Sequence, residues 1–457
     1  MARRDMTQGP IWRQLLVFSI PILLGNLLQQ LYNAIDAMVV GLYVSKEALA
    51  AVGSSGTLIN MIIAFFMGMS TGSSVLISHY CGARNGKGLH DTVHTAMLLS
   101  VVLGAVLSMV GFYLSPTLLR WMQTPEEIFP QSVEYLRIYF TGLVFLTIYN
   151  MGNAVLRAMG DSRRPLYFLA LSSVLNAGLD LLFVLAFDMG IAGVAWATVL
   201  SQAVSAVLVV IVMCRTRGDD RLALRDLRLH RNIVREIVRI GLPGGLQQGI
   251  ISGANLVVQT YINQLGATVV AGYSACAKLD AFIMLPAQTM AMSITTFVGQ
   301  NLGARKVKRA RRGVKVSMAT GLIANITLAA LALLFGRDFL HLFTSDPDVV
   351  EAGFAFLTVF APTYFLLCFT QILPGALRGA GDVRMSTAIC ITCFVPLRQI
   401  YLYFITRAHH SIVTVALGFP LTWAIAAVAL AIYYVKSDWS RHSLVPAQQT
   451  EQADCAG

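Results

Sequence analysis

Arg157-Ala158-Met159-Gly160-Asp161 returns 221 positions later as Arg378-Gly379-Ala380-Gly381-Asp382, and Gly82-Ala83-Arg84 returns at the same offset as Gly303-Ala304-Arg305. Apolar sequence matches itself by chance, but charged landmarks held in register across most of a half mark an internal duplication. Pro21 and Pro243 add a third correspondence, each shortly after the start of an apolar run that follows a basic segment.

Of the 457 residues, 56% are hydrophobic and 12% charged, with a mean hydropathy of +0.66. That leaves too few polar groups to coat a water-soluble globule, so the chain reads as an all-α integral membrane protein. Apolar stretches long enough to cross lie near 14–38, 49–78, 92–114, 133–156, 166–187, 191–213, 236–262, 268–300, 315–335, 352–377, 385–406 and 412–435. These are twelve spans, six per half. An even number gives both halves one orientation, so the expected relation is a pseudo-two-fold axis along the membrane normal. The expected organisation is an N-terminal six-helix bundle over 1–214, a linker over 215–234, a C-terminal six-helix bundle over 235–436 and a tail over 437–457.

The N-terminus, the even-numbered loops with their flanks and the tail hold 27 of the 34 Lys and Arg. The positive-inside rule therefore puts both termini and the linker in the cytoplasm of a multi-pass protein of the cell membrane. The same bias accounts for the net charge of +11 without nucleic acid as a partner. The basic run Arg305-Lys306-Val307-Lys308-Arg309-Ala310-Arg311-Arg312 sits between two spans, where anionic lipid headgroups are the expected partner. The linker, with Leu222, Leu224, Leu227 and Leu229 among its arginines, is compatible with a short interfacial helix or with a plain loop.

Seven cysteines are scattered, mostly within spans, so no disulfide framework is expected, and Cys390-x-x-Cys393 lies inside a span. The first apolar run lacks a small-residue cleavage site and reads as a retained span. No phosphate-binding loop, His-Glu-x-x-His or Gly-x-Ser-x-Gly occurs, so neither nucleotide-driven pumping nor hydrolysis has support and no cofactor is expected.

Ionisable groups at bilayer depth cost about 2.5 to 3.5 kcal/mol each, and those that occur point to function. Asp36 ends the run Gln29-Gln30-Leu31-Tyr32-Asn33-Ala34-Ile35-Asp36, Asp180 is in mid-span 5 and Asp280 in span 8. Asn176 and Asp180 are four apart and share a helix face, with Thr198 on the next span. If spans 1, 5 and 6 share an inner face, Asp36, Asn176, Asp180 and Thr198 form an oxygen-lined pocket. Two carboxylates there take up a proton or a hard cation such as Na+, and either changes the charge by about one unit. The competing reading pairs Asp36 with Arg137. Pro21 is a candidate bend in span 1, static or switching.

The second half lacks carboxylates at the positions equivalent to Asp36 and Asp180. It offers Asp280 beside Lys278, with Gln259, Gln288, Met284 and Met292, a set that suits a bulky organic cation or simple packing. Arg157 and Asp161, with their repeats, are expected to cap helix ends around a tight Gly turn.

Taken in order, Ser19-Ile20-Pro21-Ile22-Leu23, Asp36, Gly82-Ala83-Arg84, Arg157-Ala158-Met159-Gly160-Asp161, Asn176-x-x-x-Asp180 and Gln300-Asn301-Leu302-Gly303-Ala304 resemble the multidrug and toxic compound extrusion family of bacteria, over essentially the whole chain. The resemblance implies a V-shaped pair of six-helix bundles that works as a monomer and exports cationic, lipophilic compounds against inward H+ or Na+. It implies coupling at Asp36, Asn176, Asp180 and Thr198, with Pro21 as the bend. Members that place acidic residues in spans 7 and 10 differ, since those spans here carry Asn255, Gln259 and Gln371. The rival readings are a flippase for a lipid-linked oligosaccharide, which would want more Arg and Lys in the spans, and a non-transporting scaffold.

Overall fold

The computed structural model describes residues 4–216, 218, 221–408, 411–441 and 444. Spans 1 to 4 are Ile11–Tyr43, Lys46–Gly82, Gly86–Trp121 and Phe129–Ala158. Spans 5 and 6 are Arg163–Ala186, whose last turn Leu182–Ala186 is π-helical, and Gly190–Arg215. Span 7 is Arg231–Asn263, span 8 Ala267–Gly303 and span 9 Val307–His341. Span 10 joins Pro347–Thr363 to Phe365–Gly379 across a 57° bend, span 11 is Arg384–Thr406 with a π turn at Cys393–Leu397, and span 12 is Ile412–Lys436. Among the described residues, ten helices are long and apolar enough to cross a membrane, and the bent pair makes eleven. Span 7, at 33 residues, completes the twelve, its apolar surface broken by Gln247, Gln248, Asn255 and Gln259.

Side chains that a soluble protein would bury point outward here. Met109, Tyr113, Val174, Phe187, Leu334 and Val435 are all exposed. Lipid is as apolar as these groups and leaves no incentive to hide them, so burial is reserved for helix-to-helix contact.

The two landmark motifs are helix endings. Spans 2 and 8 stop at Gly82 and Gly303, and the chain then turns through Arg84 and Arg305, whose φ angles of 53° and 57° are left-handed. The turn is closed by Asn85 N–H to Tyr80 O (3.1 Å) and Lys306 N–H to Asn301 O (2.7 Å). Spans 4 and 10 end alike, with Gly160 and Gly381 at φ 87° and 82° and the following aspartate N–H bonded five residues back. Satisfying the last carbonyls of a helix in this way gives each end a fixed exit direction. Asp161 also caps span 5 through the N–H groups of Arg163 and Arg164, at 3.1 and 3.2 Å.

These endings meet on the pseudo-two-fold axis. A Cβ on Gly82 would lie 1.9 Å from the carbonyl oxygen of Gln300, and one on Gly303 would lie 2.1 Å from that of His79. His79 and Gln300 are themselves related by the 221-residue offset. Around this contact His79 Nε2 bonds Gly379 O (2.8 Å), Gln300 Nε2 bonds Ala158 O (2.8 Å) and Thr295 Oγ1 bonds Gly375 O (2.8 Å). The segment before span 1 is laid across the same end. Met6 N–H donates to Gln300 Oε1 (3.2 Å), Lys306 Nζ to Thr7 O (2.9 Å) and Arg309 to the carbonyls of Met6 and Gln8. The halves are thus sealed together at the end that carries the basic loops.

Among its described residues the linker is a loop with one 3₁₀ turn at Leu224–Asp226. His94 Nε2 accepts from Ala223 N–H (2.9 Å), and Thr95 Oγ1 donates to Arg228 O (3.1 Å), which ties the loop to span 3.

Gly82→Ala should destabilise the protein by about 1 to 3 kcal/mol, because the atom it would strike is backbone and cannot rotate away. Gly178→Ala, with nothing within 4 Å of its Cβ, should instead be neutral or gain up to about 1 kcal/mol of helix propensity. Thermal unfolding of the two variants in detergent checks both signs.

Candidate functional site

Span 1 carries Gln29, Tyr32, Asn33 and Asp36 at helical spacing, so their side chains make one polar stripe. Span 6 does the same with Thr198, Gln202 and Ser205, and span 4 with Asn150, Asn153 and Arg157. All of these line one cavity of about 550 Å³ inside the first half. Spans 1, 5 and 6 pack on one another around it. Pro21 and Gly25 are on its wall, and Gln288 and Met292 of span 8 reach it from the second half.

Asp36 and Asp180 face each other across the wall between spans 1 and 5, with Tyr32 beside Thr198 and Tyr139 beside Gln202. Asp180, Asn176 and Thr198 are 0, 1 and 5% exposed, and Asp36 is half-buried. Both carboxylate oxygens of Asp180, Oδ1 of Asp36, Oγ1 of Thr198 and Nδ2 of Asn176 are buried without a hydrogen-bond partner. Two bare carboxylates have nothing to donate to each other, and a buried acceptor without a donor costs about 1 to 3 kcal/mol. The arrangement can therefore take up a proton, which would bridge the two carboxyls, or a hard cation, which oxygen ligands suit. The π turn Leu182–Ala186 begins two residues after Asp180; such turns often mark working sites, because the extra residue re-aims the helix.

Arg137 does not pair with Asp36. Its guanidinium lies 5.3 Å above the Phe112 ring, and Arg137 is not among the residues lining the cavity. Span 1 runs through Pro21 as one continuous helix.

The second half is built differently. Asp280 stands beside Tyr273, Cys276 and Tyr364, while Lys278 leaves it for the Phe343 ring, 5.4 Å away. Met284 packs in the core of that half, and Gln259 donates to Asn263 Oδ1 (2.9 Å). Asp280, Met284 and Gln259 are not among the residues lining the 550 Å³ cavity. Arg398 is buried at 4% exposure, bonds Thr422 Oγ1 (2.9 Å) and Asn255 Oδ1 (3.3 Å), and stacks 4.3 Å from the Phe419 ring. Among the described residues, the interior of the second half thus holds Arg398 and a single carboxylate, Asp280, where that of the first holds the Asp36–Asp180 pair and Arg157.

His90, His94 and Asp226 bring ligand atoms within 4.8 Å of one another. Both nitrogens of His94 are engaged, Nδ1 with His90 O (2.7 Å) and Nε2 with Ala223 N–H, so the group anchors the linker.

Tyr32, Tyr139, Gln202 and Asn153 were not singled out by the sequence reading. Their signal was available in the helical spacing that each shares with a neighbouring polar residue.

The MatE family model matches the chain twice, over residues 21–182 and 243–404. A probable multidrug resistance protein of Bacillus subtilis is 31% identical over 97% of this chain and 99% of its own length. A second such protein of the same organism is 28% identical, with 95 and 96% covered. Among solved structures, a MOP superfamily transporter from Pyrococcus furiosus superposes with a TM-score of 0.88 at 25% identity, covering 94% of this chain and 96% of that one. Two matches to the family model, one per half, together with a relative 31% identical over nearly the whole length, make this chain a member of the MatE family of multi-pass membrane transporters.

Proposed function

We propose that the protein is a secondary antiporter of the cell membrane that exports lipophilic, cationic compounds in exchange for H+ or Na+. The observation that carries this is the Asp36–Asp180 pair, with the unsatisfied Asn176 Nδ2 and Thr198 Oγ1 in the same region, set at the wall of a cavity large enough for a small organic molecule, which Asp36 and Thr198 line. The relatives named as multidrug resistance proteins support the substrate class.

The mechanism follows from charge. With the sealed end in the cytoplasm, as the basic loops require, the cavity is cut off from the inside. An ion-free pair carries close to two negative charges, which attract a lipophilic cation into a pocket walled by Tyr32, Tyr135, Tyr139 and Met292. Uptake of H+ or Na+ at Asp36, Asn176, Asp180 and Thr198 removes about one charge and weakens the hold on the cation. Pro21, which lacks a backbone N–H and so leaves one helix bond unmade, is where span 1 would yield to that change. One ion in and one cation out at the same residues is exchange.

In proteoliposomes loaded with a fluorescent lipophilic cation, an imposed pH or Na+ gradient should drive efflux, and Asp36→Asn should reduce it to background with the protein still folded. Undiminished efflux in Asp36→Asn sinks the proposal, and the gradient that works names the ion. Independently, Asp180→Asn should raise the unfolding temperature at pH 8, by about 1 kcal/mol of stability, because the amide supplies the donor that the pair lacks. A lower unfolding temperature would mean that Asp180 is satisfied by something else.

A further inference from the structure

Arg157 and Arg378, equivalent in the two halves, border one small cavity of about 70 Å³ on the pseudo-two-fold axis where spans 2, 4, 8 and 10 meet. Among the described residues neither forms an ion pair, and no carboxylate lines the cavity. Arg378 spends its Nε on Pro374 O (3.3 Å), within its own helix. The remaining wall is hydroxyl-rich. Ser70 and Ser74 of span 2 and Thr296 of span 8 make no side-chain hydrogen bond to another described residue, so their protons are free to turn inward. Thr71 and Thr295, by contrast, already donate to helix carbonyls.

Two guanidinium groups and three uncommitted hydroxyls, with no negative charge to balance them, are the donor set for an oxyanion. The volume is that of one phosphate-sized group, too small for a whole organic compound. We infer that this cavity is an anion site, taking phosphate either as the free ion or as a phosphoryl group borne by a compound in the larger cavity. Arg157 and Met292 belong to the walls of both cavities, so the two communicate through shared side chains. The anion site stands apart from the carboxylate pair, and does not depend on which ion, if any, that pair couples.

The test is saturable binding of inorganic phosphate and of phenyl phosphate to the full chain in detergent, read by calorimetry and by ³¹P line broadening. One site per chain is expected, weakened at least about tenfold in Arg157→Gln/Arg378→Gln, as for loss of charge-assisted hydrogen bonds, and unchanged in the surface variant Arg311→Gln/Arg312→Gln. Tighter binding of phenyl phosphate assigns the group to a carried compound, and preference for inorganic phosphate assigns it to the free ion. Absence of saturable binding in the parent, equal binding in the double arginine variant, or a loss seen only in the surface variant Arg311→Gln/Arg312→Gln overturns the proposal. If the double arginine variant does not fold, Ser74→Ala/Thr296→Val decides, since weaker binding supports the site and unchanged binding overturns it.

Discussion

Everything in this molecule hangs on how closely two backbones can approach at the pseudo-two-fold axis. Gly82 lies against the carbonyl of Gln300 and Gly303 against that of His79, at distances where any side chain would collide. Because the two contacts are copies of each other, the chain obtains a tight seal by keeping one short motif twice. With the glycines in contact, the neighbouring polar groups fall within reach of the opposite half: His79 of Gly379 O, Gln300 of Ala158 O, Thr295 of Gly375 O. In lipid, where no water competes, these hydrogen bonds and the close packing take the place that the hydrophobic effect holds in a soluble core.

From that symmetric seal rise two unlike interiors. The first half sets Asp36 on the wall of a cavity with tyrosines and amides, with Asp180 buried against it, and the second buries Arg398 among Thr422, Asn255 and the rings of Phe419 and Phe394. A duplicated scaffold permits this, since the packing surface at the axis is fixed while the residues lining each bundle are free to diverge. Each half has a π turn in the corresponding span, at Leu182–Ala186 and Cys393–Leu397, but at different levels, since the 221-residue offset carries Leu182 to Tyr403.

Much of this was legible from residue spacing. The charged landmarks revealed the duplication, and Asn176 four residues before Asp180 fixed a shared face whatever the details of packing. What periodicity could not supply is the rotation of each helix about its own axis relative to its neighbours. Arg137 was a reasonable partner for Asp36 and Lys278 for Asp280, yet both turn to aromatic rings, because each cation takes the acceptor its helix happens to face. Arg157 and Arg378 read as caps at helix ends. They lie where four spans meet, a position defined only by the tertiary arrangement. The polar stripes of spans 1, 4 and 6 were visible as patterns, but their convergence on one cavity was not.

The segment before span 1 has a consequence for the order in which the protein can be made. Met6 is bonded to Gln300 and Asn301, partners 294 and 295 positions further along the chain. A ribosome adding about 5 to 20 residues per second leaves roughly 15 to 60 s between the appearance of the two. Throughout that interval the first half has the end that bears the basic loops open and its first residues without their partners. Closure of that end therefore waits on the insertion of span 8.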